Sequence, residues 1–577
     1  MDSPRSLIIF VLLVLAALLY TNFITWIRPP KTHPPSNAQG LSGGTNRTPS
    51  AASSEASGAP ATAPAGIASP TEATGAVTET PPATAPAALV GATGATGPPR
   101  TIEVNTDLYQ AIFTTKGARL VSFRLKRYRQ TVAKESPLYD MVAPAERLPL
   151  GVVVSREDEI LGDQELDYAT DAPERVEVGP SVDAAITFTA ETRDGLRIIK
   201  RLTFRSRSYL FDLSVETGGA AAASVSGIGL TMSQPLAEIS EGYRNYPMLQ
   251  AEVNSKVYDE YEKELKKGIA PVSGDIAFAG IGNTYFLSVF LPKSPVQGQL
   301  RMEYSEDEAR AVMLFSGAHT VTSGVYMGPK ELNLLESTSP RLREAINFGW
   351  FGFLAIIFLR ALQILNTFVP NYGWDILLLT LAVRLATLPA SIKAQRSALR
   401  MQRLQPQVEK IREKFKDDST RLNREMMDLY KRNHVNPLGG CIPTAIQIPI
   451  LYAMYEALQG SIELRHAPFA GWIRDLSAPD CFPVAWMPKI PGIDCHGIPV
   501  LVLLMGISTF LQQWMMPKAG DPNQQKMMMW MPIFFTVLFV ALPAGLSLYY
   551  FASNLLGIIQ QFFLNREFKQ YTPVAAA

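Results

Sequence analysis

The chain has 577 residues, 47% of them hydrophobic and 18% charged, with a net charge of +1 at neutral pH. That length exceeds one compact domain, and the charge balance lacks the basic excess of a direct nucleic-acid binder. Three cysteines (Cys441, Cys481, Cys495) are too few for a disulfide scaffold and fit no zinc spacing, and the five histidines are scattered.

Residues 6–27 form an apolar run long enough to cross about 30 Å of hydrocarbon. The run closes on Tyr20-Thr21-Asn22-Phe23, without the small residues of a cleavage site, so it reads as an uncleaved anchor with a cytoplasmic N-terminus. Residues 36–99 are rich in Pro, Ala and Thr, bury too little apolar surface to offset chain entropy, and read as a disordered tether. From residue 100 to 339, apolar and polar residues alternate in short runs such as Ala185-Ile186-Thr187-Phe188-Thr189, and Asp194-Gly195 is a hairpin signal. This pattern predicts a large all-β antiparallel sandwich. No metal cluster and no catalytic carboxylate pair is visible in it.

Beyond residue 339, apolar segments recur at 348–369, 373–390, 441–459, 498–516, 527–543 and 545–564. The intervening stretch 391–440 carries twelve basic and six acidic side chains, net +6, and should stay cytoplasmic. The loop 461–497 has three basic and four acidic side chains and crosses easily. A single crossing must therefore separate an outer β domain from the basic stretch. Arg360, Gln363 and Thr367 share one helical face, which makes 341–369 an amphipathic helix in the outer interface and leaves 373–390 as the span. The expected fold is a polytopic α-helical membrane protein plus an outer β domain. It has six transmembrane helices, five of them forming the core, with 517–526 a cytoplasmic loop and 565–577 a short cytoplasmic tail.

Arg384 lies in the middle of 373–390, about 16 Å along the helix at 1.5 Å per residue. A charge at that depth costs about 2.5–3.5 kcal/mol on insertion and must face protein or water. Thr380 and Thr387 share its face, and the spans contain no deep acid to pair with it. Gln447, Tyr549, Tyr550, Ser553 and Asn554 add uncharged polar groups. Together these residues could line a wet groove. In the basic stretch, Leu404, Val408, Ile411 and Phe415 follow 4-3-4 spacing, Asp417-Asp418-Ser419 offers a helix cap, and Leu422, Met426 and Leu429 resume the pattern. This predicts a helical hairpin with an apolar seam. Cys481 and Cys495 both fall in the outer loop 461–497, and we expect a disulfide between them.

Asn436-Pro437-Leu438-Gly439-Gly440-Cys441-Ile442-Pro443, Ala467-Pro468-Phe469 with Asp475-Leu476-Ser477, and Leu548-Tyr549-Tyr550-Phe551-Ala552-Ser553-Asn554 closely resemble the YidC membrane-protein insertase family. The resemblance is dense from about 348 to 568 and looser over the anchor, tether and β domain, which match the Gram-negative form. It implies a periplasmic β-supersandwich, a hydrophilic groove open to cytoplasm and lipid, and residence in the bacterial inner membrane. The family's groove residues fall on Arg384, Thr380 and Gln447, and its aromatic on Tyr549 or Tyr550. The implied activity is insertion and folding of nascent inner-membrane proteins, with no covalent chemistry and no cofactor. The implied partners are nascent membrane proteins, the Sec translocon, membrane lipids, and further the ribosome and the signal-recognition receptor, with the hairpin recruiting substrates or partners. Two departures are an inserted stretch between Cys481 and Cys495 and a tail with only Arg566 and Lys569 as bases, too few for a strong ribosome site. The rival readings are a secondary transporter, which requires inverted repeats, and a membrane-anchored sugar-acting enzyme, which requires an acid–base pair in the β domain.

Overall fold

The computed structural model describes residues 87–89, 91 and 98–570, apart from 143–146, 158, 181, 236–246, 306–307, 417, 436–441, 485, 488–495 and 517–521. The side chains of 442–444, 522–528 and 567–570 are likewise outside the description. The anchor at 6–27, most of the tether, the Asn436–Cys441 motif and Cys495 therefore lie outside the described residues.

The β domain is built on a 14-stranded sheet that folds on itself through one strand, Val272–Gly282. The first half of this strand pairs with Gln297–Ser305, and the second half with Phe286–Ser294 on one side and Met248–Val253 on the other. The change of partner turns one continuous sheet into two facing layers. The strands Ala184–Glu191 and Leu196–Phe204 alternate buried and more exposed residues, the buried ones apolar apart from Lys200, and form the expected hairpin. Gly195 supplies the positive φ of 83° in their turn. A second sheet of five strands, in which Tyr109 stacks on Phe123 (4.3 Å), packs on this end of the domain through ring contacts: Phe123 stacks on Phe211 (6.2 Å) and Phe113 lies tilted against Phe204 (5.7 Å). Residues 87–91 depart from the tether reading. Ala87–Ala88 pairs parallel to Leu161–Gly162, and Leu89 enters the core. A four-residue apolar run embedded in low-complexity sequence is too short to show by composition.

Between the two sheets, Asp163 sits fully buried against Lys200 (2.5 Å) and Arg119 (2.6 Å), and accepts from the Tyr168 hydroxyl (3.0 Å). The Lys200 ammonium also donates to the carbonyls of Gly117 (2.6 Å) and Leu150 (3.3 Å). Burial raises the Asp163 carboxyl, but the two cations outweigh it and hold it below the ordinary range. Burial pulls Lys200 down to about 8, against the attraction of its single carboxylate. One anion between two cations explains why the carboxylate gains what the lysine does not. At the base of the domain Lys330 is also buried, and desolvation lowers its ammonium to about 7 with partial compensation from Asp259.

The helical part follows. α1 (Gly352–Phe368) buries Ala355, Phe358, Leu359 and Leu362, while Phe353, Ile357, Ile364 and Phe368 are exposed. Its polar face looks back to the domain junction, with Arg360 near Glu336 (3.5 Å) and Gln363 donating to Glu463 (2.7 Å). α2 (Tyr372–Arg403) begins with the Asn371 side chain accepting from Gly373 and is the one described helix long and apolar enough to cross a membrane by length and composition. It does not stop near residue 390: it runs through Pro389 to Arg403, because Ser391–Arg403 contains strong helix formers and no further proline or glycine. α3 (Gln405–Lys414) and α4 (Ser419–Arg432) form the hairpin, and α5 (Ile442–Gln459), α6 (Val500–Met515), α7 (Pro522–Phe539) and α8 (Ala544–Gln570) complete the bundle. Leu362, Ile376, Met454, Val502 and Tyr549 share one apolar core there.

Candidate functional site

The last helix, α8, carries two polar stripes. Ser553 and Gln560 face α2: Ser553 Oγ accepts from Arg384 Nε (2.9 Å), and Gln560 Nε2 donates to Ser391 Oγ (2.9 Å) and Gln395 Oε1 (3.3 Å). Tyr549, one turn before Ser553, accepts at its hydroxyl from Gln447 Nε2 of α5 (3.0 Å). Asn554, Gln561 and Asn565, at spacings of seven and four, face α6. Asn554 Nδ2 donates to Ser508 Oγ (3.1 Å) and Thr509 Oγ1 (2.8 Å), and Gln561 Nε2 donates to the Met515 carbonyl (2.7 Å). Gly557 lies between the stripes. A Cβ there would come within 2.3 Å of the Gln512 amide nitrogen and displace that side chain, while the Arg384 guanidinium at 3.4 Å would remain in ordinary contact.

Arg384, Gln447, Tyr549 and Asn554 are thus brought onto one helix or its direct partners. Among the described residues Arg384 pairs with no carboxylate, and its Nε is held by a neutral hydroxyl. Tyr550 is half-buried and packs on Phe539 (5.3 Å) and Phe535 (6.4 Å). Thr380 is not joined to this cluster by any hydrogen bond. It is fully buried and returns its hydroxyl to the Ile376 carbonyl of its own helix (2.6 Å). Thr387 does the same to Val383 (2.9 Å). Sequence reasoning missed Ser508, Thr509 and Gln512. The signal was present as a polar interruption, Ser508-Thr509 followed by Gln512-Gln513, inside an apolar span.

The hairpin side chains converge. Leu404, Val408 and Met426 are buried, and Ile411, Phe415, Leu422 and Leu429 are partly so. Asp418 caps α4 by accepting from Arg421 N (2.9 Å), and Arg421 lies over the Phe415 ring (5.1 Å). The seam closes the hairpin on itself.

The loop 461–497 that follows α5 gathers the ends of several elements. Arg465 donates to the Arg129 (2.9 Å) and Gln130 (3.1 Å) carbonyls of the β domain and lies over the rings of Tyr139 (5.2 Å) and Phe286 (5.3 Å). Phe469 packs on Gly373 at the start of α2, where a Cβ would come within 2.0 Å of its ring. The Leu476 and Ala478 carbonyls accept from Gly545 (2.9 Å) and Ala544 (2.7 Å) at the start of α8. Asp480 caps α6 from outside, its Oδ2 accepting from Leu501 N (2.5 Å) and Val502 N (3.2 Å), while its Oδ1 accepts from Trp472 (2.8 Å). The adjacent Cys481 is disulfide-bonded, and its expected partner Cys495 lies outside the described residues.

Among the described residues no group of histidine, cysteine or acidic side chains is placed to hold a metal. The site offers hydrogen bonds and one positive charge within an apolar bundle, an arrangement able to solvate polar groups.

A family model described as 60Kd inner membrane protein matches residues 364–571, and one described as YidC periplasmic domain matches residues 101–360. A protein of Syntrophobacter fumaroxidans named Membrane protein insertase YidC is 33% identical over 491 residues, covering 80% of this chain and 86% of its own. Its namesake in Citrifermentans bemidjiense is 34% identical over 481 residues, covering 81% and 86%. A crystal structure of YidC from Thermotoga maritima aligns with 82% of this chain and 99% of its own at 16% identity and a TM-score of 0.28. On the sequence identity across four-fifths of the chain, the protein belongs to the YidC membrane protein insertase family.

Proposed function

We infer that this protein is an insertase and chaperone of the bacterial inner membrane, taking nascent membrane proteins as its substrates. The observation that carries the mechanism is Arg384, bonded to Ser553 without a carboxylate partner among the described residues, beside the polar seam of α8. A polar tail of a client meets hydrocarbon as a solvation barrier of several kcal/mol per unpaired group. Hydroxyls and amides along α8 replace part of its lost water, and Arg384 attracts acidic groups in the tail. The client's apolar helix then leaves between the bundle helices into lipid, where apolar burial favours it. No covalent step is required.

In this reading the β domain is periplasmic, and six helices span with both termini cytoplasmic. α1, with its exposed apolar edge and its polar face turned to the domain junction, lies in the outer interface. We assign the Sec translocon to the β domain side, and the ribosome and the signal-recognition receptor to the cytoplasmic hairpin.

A photo-crosslinking residue at Gln447 of the full-length protein, challenged with stalled nascent chains, tests the reading. Adducts are expected with membrane-protein clients and not with a soluble chain of equal length. Equal labelling of both would count against the groove.

A further inference from the structure

The net charge of the cytoplasmic stretch 391–440 is unevenly distributed. Of its twelve basic residues, Lys393, Arg396, Arg400 and Arg403 lie in the last thirteen residues of α2, a segment with no acidic residue. The remaining eight share the hairpin region with all six acids. The four cations are spaced three, four and three apart, which places them within an arc of about 80° on one face at 3.6 residues per turn. All four are exposed, while Ala394 on the other side of the helix is buried.

The depth of this face follows from helix geometry. Twenty residues from Tyr372 span about 30 Å, the thickness of the hydrocarbon core, so the segment emerges near Ser391. Gln560 of α8 bonds to Ser391 and Gln395 at this level, and within one turn of it Phe562 and Phe563 are exposed. The apolar boundary of the bundle thus falls beside the first cation. Lysine and arginine stems reach along such a boundary while their charged ends meet headgroups.

We propose that Lys393, Arg396, Arg400 and Arg403 form a binding face for anionic phospholipid headgroups of the cytoplasmic leaflet, which fixes the depth of the helix that carries Arg384. The proposal rests on the membrane reading of α2 given above. Each cation at an anionic surface strengthens binding by about fivefold, the ratio equivalent to about 1 kcal/mol.

The test uses detergent-solubilised full-length protein and native mass spectrometry with added phosphatidylglycerol or phosphatidylcholine. The combined variant Lys393→Gln, Arg396→Gln, Arg400→Gln and Arg403→Gln is expected to lose phosphatidylglycerol retention by at least about tenfold and to leave phosphatidylcholine unchanged. The control Lys410→Gln, Lys414→Gln, Arg424→Gln and Lys431→Gln, in the hairpin, is expected to retain both lipids as the parent does. Unchanged phosphatidylglycerol retention in the first variant, or an equal loss in the control, overturns the proposal. Displacement of the lipid by excess inorganic phosphate overturns it in favour of a free-phosphate site. If a crosslinker at Arg400 labels acidic client segments while lipid retention is unaffected, the face belongs to a protein partner instead. If the unmodified protein holds phosphatidylglycerol through this face yet inserts no client, the insertase reading fails and the lipid face stands.

Discussion

Replacing Arg384 with alanine separates attraction from structure. The guanidinium is held by one bond to Ser553 and has no carboxylate partner among the described residues, so its charge is open to a client. A client carboxylate arriving within about 6 Å gains about 3 kcal/mol at an effective dielectric of about 20, and half that in a wetter groove. Arg384→Ala is therefore expected to slow insertion of acidic-tail clients by about ten- to a hundredfold, with little effect on clients whose tails are neutralised. Folding changes less. One hydrogen bond worth about 1 kcal/mol is lost, while removal of a partly buried charge without a carboxylate partner among the described residues offsets it. Arg384→Lys keeps the charge at similar reach and is expected to recover most insertion; loss in this variant would mean that the planar fork matters. The assay is depletion of the native copy followed by protease accessibility of a client's outer tail, in acidic and neutral versions. Normal insertion of the acidic version by Arg384→Ala would refute the attraction, and disappearance of the protein itself would assign Arg384 a structural role.

Lys200→Met leaves Asp163 paired with Arg119 but removes the bonds to the Gly117 and Leu150 carbonyls, and is expected to destabilise the β domain by about 1–3 kcal/mol, read as a lower melting temperature of the solubilised protein. Lys330 has a folded-state value of about 7 against 10.5 unfolded, so between those limits the unfolded chain binds more protons. Stability is expected to rise with pH across that window, and Lys330→Met to flatten the rise in thermal scans from pH 6 to 10. Non-reducing peptide mapping is expected to join Cys481 to Cys495, and Cys481→Ser to cost about 3 kcal/mol for a loop of about 15 residues. Arg465→Ala removes two bonds to carbonyls and its ring contacts, and is expected to expose the loop 461–497 to protease without altering the hairpin.

Local signals survived the step from sequence to structure, and non-local ones did not. The Asp194-Gly195 hairpin, the Asp418 cap and the seam from Leu404 to Leu429 were legible because each depends on residues within one or two turns. The position of Arg384 was legible from its cost in an apolar span, but its partner Ser553 lies 169 residues away, and no periodicity links them. Thr380 shares the face of Arg384 by spacing, yet its hydroxyl is satisfied by its own helix, a choice that only packing decides. The Arg119–Asp163–Lys200 cluster was invisible for the same reason. Its members come from separate segments, and each alone looks like a surface charge.

The loop 461–497 has a genetic consequence. Phe469, Leu476, Ala478 and Asp480 hold the starts of α2, α8 and α6, and Arg465 ties the same loop to the β domain. Substitutions at these positions share partners, so their effects will not add. A second change in an already loosened loop costs less than the same change in the intact one. Screens that sample single positions will overstate how many independent constraints the loop carries, and homologues are expected to exchange its residues in sets.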